Sequence, residues 1–174
     1  MPRSLPCGSH VEESMKLRIC VAEPKQDKAD DRSLKTLYRS GRLRIEGSAD
    51  IRTVALDDGR QVFFAGQLVG VRNRQGEITV PTSLPDAMKS LVGAGPPEKC
   101  RERMEGRFLV AVAGPGAQCR IFADPFGQRD LYYRFDPKQS CFVSDLSLLP
   151  GKADRDGYDP AAMAHTLCVY GFRP

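Results

Sequence analysis

The sequence predicts an α+β layered domain, and three observations carry that expectation. Arg107 to Ala113 is almost continuously apolar, as a strand covered on both faces must be. Short apolar runs on either side of it are separated by Gly-, Pro- and Asp-rich turns, the pattern of a β meander. Segments with helical start signals flank this meander, and helices packed on doubly covered strands make layers. The chain has 174 residues, enough for one domain of ordinary size.

Residues 1–15 read as a flexible leader, polar and broken by Pro2 and Pro6, and residues 16–174 as the domain. Leu17 to Ala22 has strand character. Glu23 to Arg32 is a charged loop with Pro24 near its start. Thr53 to Leu56 and Gln61 to Arg72 read as two strands joined by Asp57-Asp58-Gly59-Arg60, where Asp-Gly is a strong hairpin signal. Ser83 to Val92 predicts a short helix, ended by Gly93 and Gly95. Pro97 opens a second helix, where its missing N–H costs nothing.

After Arg107–Ala113, Gly114-Pro115-Gly116-Ala117 turns the chain and Cys119 to Ala123 returns it. Asp124-Pro125-Phe126-Gly127 turns it again. Leu131 to Phe135 and Ser140 to Val143 follow, separated by Asp136-Pro137-Lys138-Gln139. A last helix is predicted with Asp159 as N-cap and Pro160 in its first turn.

Composition narrows the function. Apolar residues make up 41% and charged residues 28%, ordinary values for a globular chain, and the net charge is +4. Arg39, Arg42, Arg44, Arg72, Arg74, Arg101 and Arg103 are scattered and read as a solvated face, so no nucleic-acid partner is expected. No apolar run has the length of a membrane helix, and residues 1–14 do not have the form of a signal peptide. A cytoplasmic location follows, where thiols stay reduced. The six cysteines are widely spaced with no C-x-x-C pair, so Cys119 and Cys141 read as small buried hydrophobes and no metal site is expected.

Five motifs occur in order: Glu105-Gly106-Arg107-Phe108, Asp124-Pro125-Phe126-Gly127, Leu131-Tyr132-Tyr133, Phe142-Val143-Ser144-Asp145-Leu146, and Asp159-Pro160 running on to Tyr170-Gly171-Phe172-Arg173-Pro174. In this order and spacing they resemble the class II glutamine amidotransferase domain of asparagine-synthetase-like proteins. One departure is Ala123, where that family usually has arginine before the turn. The resemblance implies the four-layer α-β-β-α sandwich of N-terminal-nucleophile hydrolases.

The same resemblance implies a degenerate site. Active members begin with a cysteine whose thiolate attacks the glutamine amide and whose own α-amine is the base. This chain begins Met1-Pro2, and Cys20 becomes such a residue only if the leader is cleaved before it. The family's Asn-Gly oxyanion donors correspond to Ala65 and Gly66, and alanine has no side-chain donor. Arg52, Gly66 and Asp86 are the remnants the resemblance suggests for glutamine binding.

β-Lactam synthetases and lasso-peptide cyclases are relatives with a comparable inactive domain. By that likeness the chain is the N-terminal or detached half of an ATP-dependent amide-forming enzyme. Its expected partner is a synthetase domain or subunit, in cis or in trans, or a peptide substrate. Tyr170, Phe172 and Arg173 are the expected docking residues, being of types enriched at interfaces. No Ser-Gly-Gly-x-Asp-Ser pyrophosphate loop occurs in the chain. ATP and magnesium are therefore expected only in the associated synthetase domain, with no cofactor held here. The alternatives are an active amidotransferase processed to expose Cys20 and a non-enzymatic peptide- or protein-binding module.

Overall fold

A computed structural model describes residues 15–22, 33–93, 95–135 and 139–149. In chain order these form β1 (Leu17–Ala22), β2 (Lys35–Ser40), β3 (Leu43–Gly47), β4 (Arg52–Ala55), β5 (Gln61–Arg72), β6 (Ile78–Thr79), α1 (Leu84–Gly93), α2 (Pro97–Arg101), β7 (Met104–Gly114), β8 (Gln118–Ala123), β9 (Tyr132–Phe135) and β10 (Gln139–Val143). Two 3-10 turns, Pro115–Ala117 and Leu146–Leu148, complete the described set. The first sheet has the order β2-β3-β1-β10-β9 and the second β4-β5-β7-β8, with β6 also on β5. All of these pairings are antiparallel.

Period-two alternation decides which face each strand buries. Leu17 and Ile19 of β1 and Leu43 and Ile45 of β3 point at the second sheet. There they meet Phe63 and Ala65 of β5 and Leu109, Ala111 and Ala113 of β7. The intervening residues of β5 and β7, Val62, Phe64, Phe108, Val110 and Val112, face the other way. They are covered by Met88, Leu91 and Val92 of α1 and Cys100 of α2. Both central strands of the second sheet are thus buried on both faces, which explains their unbroken apolar sequence. Phe64 and Phe108 stack with ring centroids 6.0 Å apart.

The four-layer α-β-β-α expectation is overturned. The described fold is β-rich, with ten strands and two α-helices. Both helices spend their apolar stripes on the second sheet. On the outer face of the first sheet, Cys20, Cys141 and Val143 instead pack against Leu148 of a 3-10 turn, with Leu34 and Leu149 at the margin. The helix expected from Asp159 lies outside the described residues.

Part of the excess strand content comes from a hairpin that composition disguises. β2 and β3 carry Lys35, Arg39 and Arg44, yet Leu43 and Ile45 are fully buried. Gly41, at φ 55°, is the first of two loop residues between paired Ser40 and Leu43, the position glycine takes in a type II′ turn. The predicted hairpin at 57–60 forms with one residue more than a two-residue loop. Leu56 donates to the Arg60 carbonyl at 2.8 Å, and Gly59 alone takes a positive φ, 82°.

The Asp124 turn is held by its own carboxylate. Asp124 is 3% exposed and accepts from the amides of Phe126 at 3.1 Å, Gln128 at 3.0 Å and Arg129 at 3.1 Å. Removing an acceptor that serves three backbone donors leaves them without a partner. Asp124→Ala is expected to lower the urea-unfolding free energy by about 2 kcal/mol or more, and Asp124→Asn by less. Equal midpoints for both variants and the parent protein would show that the carboxylate does not hold the turn.

Candidate functional site

The residues the sequence singles out converge only in part, and they do so around Gly66. This glycine sits in the buried stretch of β5 at φ 123°. Two positions along the same ladder, Gly106 of β7, opposite Leu68, takes φ 147°, and the register of the two strands shifts between Leu68 and Gly70. A Cβ on Gly66 would lie 2.2 Å from the Arg107 carbonyl oxygen and 2.8 Å from Phe108 Cα. Only glycine lets the two backbones approach this closely.

Both polar groups of Gly66 are engaged. Arg52, directly across from Phe64 on β4, lays its guanidinium over the Phe64 ring, 5.2 Å from the centroid. From there it donates to the Gly66 carbonyl at 2.6 Å. On the amide side, the Gly66 N–H donates to Met15 Sδ at 3.1 Å. Met15 stands just before β1 and packs on the core between the sheets. Ala65, whose methyl is 1% exposed, faces that same core.

The chemistry at this point is limited by the groups that reach it. A thioether is a weak acceptor that carries no proton, and a guanidinium does not release one at accessible pH. Neither is a nucleophile toward an amide or a base for one. Met15 was not singled out in the sequence. It falls at the end of the stretch 1–15 read as a flexible leader, and its only signal is its place immediately ahead of the first strand.

Two other predicted residues stand apart. Asp86 lies in the first turn of α1, where its charge suits the positive end of the helix, and its amide donates to Ser83 Oγ at 3.4 Å. Cys20 is on β1 but points away from the second sheet, into the cluster with Cys141, Val143 and Leu148. Its Sγ is 2.7 Å from Cys141 Sγ. Tyr170, Phe172 and Arg173 lie outside the described residues.

The outer face of the first sheet also carries a buried ion pair. Arg18 of β1 and Glu46 of β3 face each other in register, with Nε to Oε2 at 2.6 Å, and are 3% and 7% exposed. Arg44 approaches the other Glu46 oxygen at 3.3 Å. The thiols beside them are perturbed first by each other and then by burial and these charges. The Cys20 thiol is held below its ordinary range, first by the hydrogen bond from Cys141 and then by the charges of Arg18 and Arg44. Cys141, which keeps the proton, is pushed up. Cys119, half-buried with no such partners, is pushed up to about 12 by burial alone.

A cavity of about 390 Å³ opens between α1 and α2, lined by Arg74, Leu91, Lys99, Cys100 and Arg103 with Gly95 and Pro96. None of the candidate site residues lines it, although Arg74 and Arg103, read in the sequence as part of a solvated face, do. Among the described residues, no helix is long and apolar enough to cross a membrane. No family model, curated protein or solved structure matches this chain.

Proposed function

We propose that this chain is an amidotransferase-like domain that has lost glutaminase chemistry and serves an ATP-dependent amide-forming enzyme as a structural or docking part. The observation that carries the reading is the contact at Gly66. Where the resemblance calls for a thiolate beside an oxyanion-binding amide, the amide is already engaged by the Met15 thioether. The neighbouring donor is replaced by the buried methyl of Ala65. Arg52, the residue matched to carboxylate binding, holds the Gly66 carbonyl instead.

In this reading the adenylating chemistry, with its ATP and magnesium, belongs to a synthetase domain or subunit in cis or in trans. Tyr170, Phe172 and Arg173 belong to the docking edge toward it, and the complex works in the cytoplasm. Cys20 lies on the far side of the first sheet from the core that holds Met15 and Ala65. Exposing its amine by processing therefore does not bring its thiol to Gly66.

Labelling with a chloroketone analogue of glutamine tests the reading. Such an analogue alkylates accessible thiols in general, but excess glutamine suppresses the reaction only where a site binds the amino-acid part. Intact mass is expected to show no adduct that excess glutamine suppresses. A glutamine-protected adduct mapped to Cys20 would overturn the proposal.

A further inference from the structure

We propose that Cys20 and Cys141 are a redox modification site, closing to a disulfide when a small hydroperoxide reaches the outer face of the first sheet. The site is built by register. Cys20 on β1 lies directly opposite Cys141 on β10. Three positions along the same ladder, the Ser144 amide donates to the Leu17 carbonyl at 3.0 Å. Hydrogen-bonded and non-bonded pairs alternate along an antiparallel ladder, so Cys20 and Cys141 are a non-hydrogen-bonded pair. At such pairs the Cα atoms stand about 4.5 Å apart and the side chains are closest, within the range a disulfide spans. The two sulfurs are already 2.7 Å apart.

Charged residues flank the pair, with Arg18 and Arg44 favouring the ionised Cys20 thiol against the opposing effects of burial and Glu46. Continuing the register outward, Cys20 faces Arg44 on β3 and Cys141 faces Arg134 on β9. The four strands therefore carry the row Arg44, Cys20, Cys141, Arg134. A thiolate next to guanidinium groups is the form that attacks peroxides. Cys20 also shares its face of β1 with Arg18, two residues away, and so takes the attacking role, with Cys141 as the resolving cysteine.

Each step balances. The Cys20 thiolate attacks the terminal peroxide oxygen, the O–O bond breaks, and the alkoxide leaves with a proton as alcohol. This gives a sulfenic acid at Cys20, the first step of thiol oxidation. Cys141 then attacks that sulfur, the S–S bond forms, the S–O bond breaks, and hydroxide leaves with the Cys141 proton as water. Two thiols are oxidised and one hydroperoxide is reduced. Access is controlled by Leu148, because Cys20 and Cys141 are only 4% and 1% exposed beneath the Leu146–Leu148 turn. Local opening of such a short element is far less costly than unfolding.

The inference is independent of the amidotransferase reading. Its test treats the whole protein with hydrogen peroxide, then alkylates free thiols in denaturant and maps them by mass. The expected result is a loss of about 2 Da, a peptide linking residues 20 and 141, and reversal by dithiothreitol. The oxidised protein should also melt about 5 °C or more higher, because the bond closes a loop between residues 121 positions apart. Cys20→Ala should lose both effects. Full alkylation of Cys20 and Cys141 after peroxide treatment, or a link between any other pair of cysteines, would overturn the proposal.

Discussion

Gly66→Ala is expected to destabilise the protein by more than about 3 kcal/mol, one of the largest effects of any single methyl added to this chain. Two independent penalties combine there. At φ 123° an L-residue is strained whatever the space around it. In addition, the new methyl meets the Arg107 carbonyl oxygen at 2.2 Å, and that oxygen belongs to the partner strand of the central β5–β7 ladder. Relief requires parting the ladder, which disturbs the Arg52 and Met15 contacts to the same glycine. Gly76 supplies the control, since it takes φ 90° in a turn and a methyl there would meet nothing within 4 Å. Gly76→Ala isolates the backbone strain and is expected to lose about 1 kcal/mol. Urea midpoints that place the two variants within about 1 kcal/mol of each other would mean that the sheet yields at Gly66.

Glu46→Leu is the second large effect, an expected loss of about 3–5 kcal/mol. The Arg18 and Glu46 side chains are 4% and 10% exposed, so removing the carboxylate leaves a guanidinium inside the protein beside the Arg44 charge. Bringing the two charges out of water opposes their attraction, so the pair itself contributes little net stability. The double variant Arg18→Leu/Glu46→Leu should therefore be more stable than Glu46→Leu alone. Because the pair is shielded, the loss should hardly change over roughly a tenfold range of ionic strength, from about 0.05 to about 0.5 M salt. A double variant no better than the single, or a loss that salt removes, would place the pair at the surface.

Much of the second sheet was legible in the sequence. β5 and β7 bury both faces and so leave unbroken apolar runs, and Gly59 marks where β4 turns back into β5, but the Asp124 turn, expected to reverse the meander, instead carries the chain from β8 of the second sheet to β9 of the first. β2 and β3 were not legible. Their outward residues are Arg and Glu, which look like solvent-facing charge until Arg18 and Glu46 are seen to neutralise each other within the fold. The layer arrangement was misjudged for a related reason. Helical start signals reveal that a helix forms, but not which sheet its apolar stripe covers, and α1 and α2 both cover the second.

At the site, one hydrogen bond joins Arg52 and Gly66, two of the three residues named for glutamine binding. Asp86 was not part of that group in space, because its place in the first turn of α1 is set by the helix. Met15 escaped notice because a thioether has no chemistry that a motif would mark. The Cys20–Cys141 pair escaped for a different reason. Its partners are separated by 121 positions, and only strand register brings them together.

Whether the Gly66 region turns over glutamine is decided most directly by glutamate release from L-glutamine. The measurement is made on the whole chain and on a form beginning at Cys20, with matching Cys20→Ala controls. Release at the level of a protein-free blank is expected from both: in the whole chain Met15 rather than a thiol meets the Gly66 amide, and in the form beginning at Cys20, which lacks Met15, the Cys20 side chain faces the other side of the sheet. Glutamate formation above the blank that Cys20→Ala abolishes would contradict this, and would make the chain a working amidotransferase.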